Sequence, residues 1–178
     1  MPKRIRTFIG FTLSARDKIY FGKLQSQLVA ANLKIDLTHP QNFHLTTVFL
    51  GSTNVNRLND LEKIINDSNQ SLDPLSLVCN KLDGFPKASR ARVVFAKFQG
   101  KDMKKLDSAV GQLKSRLKQQ NFWYDDKPFI PHVTLGRAEG VVDLARFQNL
   151  AEKKVALKKF RLFESVFDKD RVRYKILI

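Results

Sequence analysis

Along the chain the apolar positions switch repeatedly between a period of two and a period near 3.6, and those switches mark out strands and helices. Residues 4–13 carry Ile5, Phe8, Ile9 and Phe11 in a strand-like run. Ser14, with Asp17 three residues on, starts a helix in the manner of a capping box, and Tyr20, Leu24 and Leu28 mark its buried stripe to an end near Asn32. Residues 43–50 form a β-rich run closed by Gly51, after which Leu58, Leu61, Ile64 and Ile65 return to helical spacing. Strands are predicted at 75–82 and 92–98, separated by the turn-like Asp83-Gly84-Phe85-Pro86 and a basic loop. Met103, Leu106, Val110, Leu113 and Leu117 keep the rhythm of an amphipathic helix whose other face carries Lys101, Lys104, Lys105, Lys114, Arg116 and Lys118. A short strand at 131–137, a short helix at 144–151 and closing strands at 155–167 and 171–178 complete the reading.

Strands and helices intermix, and neighbouring strands are joined by short turns around Pro86 and after Asp168. This favours an α+β fold with largely antiparallel sheets over a doubly wound parallel one. No Pro-, Ser- or Gly-rich linker divides the chain, so residues 1–178 read as a single domain. A weak internal repeat runs through it. His44-Leu45-Thr46 is followed by Leu58, Leu61 and Ile64, and His132-Val133-Thr134 by Leu144, Phe147 and Leu150. Each half then offers a strand bearing His-x-Thr, a turn and an apolar helical stripe. If the repeat is real, the two strands should lie side by side about a pseudo-twofold axis and bring both motifs to one cleft.

Composition narrows the classes further. The chain is 43% hydrophobic and 28% charged, with eight Gly and six Pro, which excludes disordered, collagenous and low-complexity proteins. Lys and Arg exceed Asp and Glu by 32 to 17, a formal net charge of +15, so polyanions such as nucleic acid, nucleotides or an acidic surface are the first partners to consider. Cys79 is the one cysteine, which precludes an internal disulfide or a cysteine-built metal site, and its alternating neighbours Leu75 and Leu77 make it a small buried side chain. The basic start Met1-Pro2-Lys3-Arg4 leads into a strand and not a signal peptide, and no window approaches the roughly 18 apolar residues of a spanning helix. The expected setting is therefore the cytoplasm or another reducing compartment, without a membrane, and a monomer is the default.

The chemistry resides in the His-x-Thr pair. On a strand, positions i and i+2 share a face, so His44 accompanies Thr46 and His132 accompanies Thr134. Two imidazoles that titrate near neutrality suit a general acid and a general base, and two hydroxyls beside them suit donation to an oxyanion. Together they suit metal-free attack on a phosphodiester, in which one His takes a proton from the nucleophile while the other protonates the departing oxygen. Arg137, after Gly136, is a candidate cation for the phosphate, with Gly136 giving a ligand room against the backbone. Strict alternation puts Arg137 on the face opposite His132, so its participation requires the strand to end or bulge near Gly136.

The segments His44-Leu45-Thr46-Thr47-Val48-Phe49-Leu50-Gly51 and Pro128-Phe129-Ile130-Pro131-His132-Val133-Thr134-Leu135-Gly136-Arg137 resemble the paired HxTx signatures of the 2H phosphoesterases. More narrowly they resemble the RNA 2′,3′-cyclic phosphodiesterases of the LigT type, once called 2′-5′ RNA ligases. Nearly the whole chain takes part, including Arg6-Thr7-Phe8-Ile9-Gly10-Phe11, Gly84-Phe85-Pro86, Arg92-Val93-Val94-Phe95, Leu162-Phe163-Glu164-Ser165 and Tyr174. The resemblance implies a bilobal, LigT-like α+β fold around a pseudo-twofold cleft, no metal and no cofactor. It implies opening of terminal 2′,3′-cyclic phosphates on RNA ends, or of small cyclic nucleotides, to a 2′-phosphomonoester. His44 falls on the proton donor, His132 on the proton acceptor, and Thr46, Thr134 and Arg137 on the phosphate-holding positions. Thr47 and Val48 depart from the more usual residues, and Phe95 stands where a Trp is usual; these departures are expected to lie away from the chemistry.

His39, next to Pro40, reads as a turn residue, and a zinc site built from the three histidines lacks any helical i, i+4 or HxH pair. Of Phe122-Trp123-Tyr124, three adjacent aromatics that cannot all point inward, one is a candidate to stack on a base or ribose. The lysine-rich faces form a diffuse electrostatic funnel for RNA, and the loop 87–92 is the best candidate for gripping its phosphates. Two rivals stand beside hydrolysis: the reverse reaction, 2′-5′ ligation by the same residues, and a non-catalytic RNA- or nucleotide-binding module.

Overall fold

The structure, a computed structural model, describes residues 2–168 and 171–178. Nine strands and three helices follow in the order β1 (Arg4–Thr12), α1 (Ala15–Ala30), β2 (Ile35–Leu37), β3 (His44–Asn54), α2 (Leu58–Gln70), β4 (Leu75–Phe85), β5 (Ala91–Gln99), α3 (Met103–Gln119), β6 (His132–Val142), β7 (Lys153–Leu157), β8 (Phe160–Asp168) and β9 (Arg171–Ile176). They build two antiparallel sheets, one in the order β3-β1-β8-β9 and the other in the order β2-β6-β5-β4-β7. The α+β, antiparallel architecture read from the sequence is the observed one. No helix among the described residues is long and apolar enough to cross a membrane.

β1 lies between β3 and β8, and its residues from Thr7 to Phe11 are all buried, as expected of a central strand covered on both faces. The Ser14 hydroxyl accepts from the Asp17 N–H at 3.2 Å and donates to the Asp17 carboxylate at 2.6 Å, so α1 starts where its cap was expected. α1 then crosses to the second sheet. Phe21 meets Phe98 edge-on at 6.2 Å, and the Gln25 amide donates to the carbonyls of Thr38 and Leu135 at 2.7 and 2.8 Å. A hydrophobic cluster takes residues from both sheets, among them Ile9 and Leu45 from one and Leu77, Val94 and Leu135 from the other. Each such buried side chain contributes about 1.5–3 kcal/mol, which is what holds the sheets together.

Several elements differ from the sequence reading. β3 continues through Gly51 to Asn54, with Gly51 at φ +64, a left-handed conformation that breaks the regular ladder without ending it. β4 passes through the expected turn at Asp83-Gly84, because both residues pair with β5, and the chain reverses only beyond Phe85. The strand expected over 155–167 is two strands: β7 pairs with β4 in one sheet and β8 with β1 in the other, the change falling at Lys158-Lys159. The helix expected over 144–151 is only a 3-10 turn at Ala145–Phe147, which buries Leu144 and Phe147. β2, three residues long, is too short to show a period. The turn expected after Asp168 falls on Lys169 and Asp170, outside the described residues.

The repeat exists, in a different frame from the one the sequence suggested. The motif strands do not pair with each other: β3 belongs to one sheet and β6 to the other, and the two approach across the space between them. The recurring unit is strand, helix, motif strand. In β1-α1-β3 and in β5-α3-β6 the helix precedes the His-x-Thr strand, which returns antiparallel to the first strand of its unit.

Candidate active site

Both motifs open their strands. His44 and Thr46 are half-buried with Leu45 fully buried between them, and His132, Val133 and Thr134 repeat that pattern. Period-two geometry therefore turns each His and its Thr to the same side, as read from the sequence. Directly after each motif the strand gains one residue. Thr46 pairs with Gly10 and Val48 with Ile9, leaving Thr47 extra; Thr134 pairs with Phe95 and Gly136 with Val94, leaving Leu135 extra. Each bulge puts two consecutive residues inside, Thr47 with Val48 and Leu135 with Gly136. The alternation then resumes on the opposite phase, which returns the residue five after each His, Phe49 and Arg137, to the His-bearing side. The requirement that strict alternation placed on Arg137 is thus met.

A cleft of about 270 Å³ joins these parts: His44, Thr46 and Arg137 line it together with Arg6, Phe8, Phe49, Ser165, Phe167, Val172 and Tyr174. His132 and Thr134 are outside that lining, on β6 shortly before Arg137. The imidazoles are nevertheless near enough that His132 lowers the pKa of His44. Gly136 serves a different purpose from the one expected. A Cβ there would fall 2.6 Å from the Asp36 carbonyl, so the missing side chain admits β2 and not a ligand.

The two imidazoles are held alike. Nδ1–H of His44 donates to the Asn42 carbonyl and Nδ1–H of His132 to the Ile130 carbonyl, each at 2.6 Å. That fixes the tautomer and leaves Nε2 for proton transfer. In His44, Nε2 accepts from the Thr46 hydroxyl at 2.8 Å. Aromatic rings enclose both. Phe8 lies 4.8 Å, Tyr174 4.7 Å and Phe163 5.7 Å from the His44 ring, and Phe95 and Phe85 stand 4.9 and 5.6 Å from His132. Phe95, expected to be remote from the chemistry, therefore touches the second imidazole.

This enclosure sets the electrostatics. Burial pushes the His44 pKa down to about 4, helped by His132 and Lys18 and opposed by the bond to Asn42. Burial also lowers His132, again opposed by its carbonyl bond. Burial raises the Tyr174 phenol, with Arg137 and Arg6 pulling the other way. Sequence reasoning did not single out Arg6, Phe8, Phe49 or Phe163 for the site. Their signal was weak, because aromatic residues on strands usually mean core.

The remaining candidates fall into place around the cleft. His39 caps the short turn Pro40–Asn42, its Nδ1 accepting from the Gln41 N–H at 3.3 Å. Among the described residues no group of three His, Cys, Asp or Glu side chains is placed to hold a metal ion. Cys79 is buried, which raises its thiol to about 11. The segment expected as the loop 87–92 follows Phe85, whose ring rests on His132; its last two residues, Ala91 and Arg92, already belong to β5, and Lys87, Arg90 and Arg92 are exposed. Three of the basic residues counted toward the funnel are engaged structurally, Lys153 with the buried Asp17 at 2.9 Å, Lys114 with Asp126 at 3.0 Å and Lys105 with the buried Asp102 at 3.8 Å.

Comparison with known proteins adds three findings. The family model described as AKAP7 2'5' RNA ligase-like domain matches residues 8–166. The RNA 2',3'-cyclic phosphodiesterase of Bacillus subtilis (strain 168) is 30% identical over 99 residues, 56% of this chain and 53% of that protein, so the match spans about half the length of that curated relative. Two crystal structures share the fold. TT0787 of Thermus thermophilus has a TM-score of 0.80 at 20% identity, covering 98% of this chain and 96% of that one. E. coli LigT complexed with 3'-AMP has a TM-score of 0.75 at 20% identity, covering 99% and 97%.

Proposed function

The chain belongs to the AKAP7 2'5' RNA ligase-like domain family and, with it, to the 2H phosphoesterases, and on that premise we propose that it hydrolyses the terminal 2′,3′-cyclic phosphate of RNA to a 2′-phosphomonoester, with His44 and His132 as its acid and base. The observation that carries this reading is the convergence of the two motifs from separate sheets, with Arg137 turned toward them by the bulge at Leu135. The name of the B. subtilis relative and the 3'-AMP in LigT are consistent with it. A cytoplasmic monomer that requires no metal goes with the reading.

Water attacks phosphorus opposite the 3′ oxygen. His132 Nε2 takes the water proton as the new P–O bond forms, the P–O3′ bond breaks, and His44 gives its Nε2 proton to the departing oxygen. The phosphate stays on the 2′ oxygen. Arg137 and the hydroxyls of Thr46 and Thr134 meet the non-bridging oxygens, where negative charge grows.

The acid role runs against a His44 pKa of about 4, which leaves the ring neutral at pH 7. The substrate resolves the conflict. A phosphodiester anion about 4 Å from the ring, at an effective dielectric near 20, favours the imidazolium by about 4 kcal/mol, enough to bring His44 back to the neutral range. Binding thus supplies the protonation state that the step requires.

The test is incubation of the purified protein with a 2′,3′-cyclic nucleotide in excess EDTA, with products separated by chromatography. A 2′-phosphate is expected, and His44→Ala and His132→Ala are each expected to abolish turnover while nucleotide binding survives. Turnover persisting in both variants would overturn the acid–base assignment. No turnover in the unaltered protein, with binding retained, would favour the binding module.

A further inference from the structure

Phe122, Trp123 and Tyr124 are consecutive, and the fold treats them differently. Arg57 sits over the Phe122 ring at 3.9 Å and Lys114 over Tyr124 at 5.5 Å, and both rings pack against the core. Trp123 is 66% exposed. The segment is anchored by the Asp125 N–H, which donates to the Phe49 carbonyl at 2.9 Å. That places the indole beside Gly51, where a Cβ would come within 3.1 Å of its ring.

Gly51, Arg6, Phe49 and Ser52 line a second hollow of about 290 Å³, and Arg6 and Phe49 also line the catalytic cleft, so the two hollows share a wall. That wall is chemically suited to a nucleotide. The Arg6 guanidinium lies over the Phe49 ring at 5.0 Å, which holds its position while its N–H groups stay exposed. Ser52 Oγ accepts from Arg4 at 2.9 Å, leaving its own O–H to donate. The neighbouring carboxylate, Asp125, is tied to Lys127 at 3.0 Å.

We infer that this hollow receives the nucleotide preceding the cyclic-phosphate end of an RNA strand, its base stacked on Trp123 and its phosphate met by Arg6 and Ser52. The inference rests on the phosphodiesterase reading of the cleft. The terminal nucleoside then lies in the catalytic cleft itself, whose lining also includes Phe167 and Val172. A flat indole takes any base, so the subsite favours RNA over mononucleotides without selecting sequence.

Trp123 is the chain's one tryptophan, so its fluorescence reports on this subsite independently of turnover. Titration with a short oligoribonucleotide ending in a 2′-phosphate is expected to quench the emission, and adenosine 2′-monophosphate to leave it nearly unchanged. Trp123→Ala is expected to lower kcat/KM on an oligonucleotide cyclic phosphate by about tenfold or more, while 2′,3′-cyclic AMP is turned over within about twofold of the unaltered rate. Trp123→Phe should restore most of the oligonucleotide rate. Absence of quenching, or an equal loss on both substrates, would overturn the subsite. Quenching by the oligonucleotide without turnover of either substrate would leave the subsite standing and remove the catalytic reading.

Discussion

Enclosure of His44 among Phe8, Phe163 and Tyr174 has a consequence for folding that can be measured without substrate. The imidazole titrates near 6.5 in an unfolded chain and near 4 in the folded one. Between those values the unfolded state binds more protons, so stability rises with pH across the window. The contribution is complete above about pH 6.5 and lost as pH falls toward 4. A fall from 6.5 to about 4 corresponds to about 3 kcal/mol, of which roughly 2.5 kcal/mol is gone by about pH 4.5. Replacing His44 by Gln keeps a polar side chain of similar length and removes the titration. Urea unfolding followed by circular dichroism, for both proteins from about pH 7.5 to about pH 4.5, gives two stability profiles. Carboxylates titrate in both and cancel in the difference. The unaltered protein is expected to lose about 2–3 kcal/mol relative to the His44→Gln variant on acidification. Parallel profiles would mean that His44 titrates normally in the folded chain, and the enclosure would then have no electrostatic effect.

Other outcomes follow from the same geometry. Because a bound anion favours the charged form of both imidazoles, the bell-shaped profile of kcat should sit at higher pH than that of kcat/KM, and superimposed profiles would contradict that coupling. Arg137→Met should reduce kcat/KM by about 100-fold, and Arg137→Lys should recover only part of it because the planar fork is lost; steady-state kinetics decide this. Gly51→Ala should cost about 1–2 kcal/mol, read as a lower denaturation midpoint, because its φ of +64 is strained for any residue with a Cβ. The Cys79 thiol, buried and raised to about 11, should react with a thiol reagent near neutral pH only after denaturation; rapid labelling of the folded protein would contradict its burial.

How far the site was legible depends on the range of the forces that make it. The Ser14 cap, the stripe of α3 and the shared face of each His-x-Thr pair depend on residues at most a few positions apart, and all three stood in the sequence. The rings around His44 come from β1, β8 and β9, far apart in the chain, so nothing local marks Phe8, Phe163 or Tyr174 as its neighbours. Phe95 was read as remote from the chemistry for the same reason, since its contact with His132 exists only through the pairing of β5 with β6.

Sequence alone determined the types of the main strands and of the three long helices, though not β2 or the 3-10 turn at Ala145–Phe147, together with the antiparallel α+β class and the two His-x-Thr motifs with their shared faces, because side-chain direction along a strand or helix follows from backbone period. Tertiary structure decided three further things. It divided residues 153–168 between two sheets, since strand pairing is chosen by partners distant in sequence. It set the frame of the repeat, placing the helix before each motif strand. It also inserted the bulges at Thr47 and Leu135, which return Phe49 and Arg137 to the cleft. A bulge forms where packing on both sides of a strand favours one extra residue, with the Asp36 backbone pressed against Gly136 on one side and Val94 and Phe95 paired on the other. That balance involves segments roughly 40 to 100 residues apart in the chain, and no local pattern encodes it.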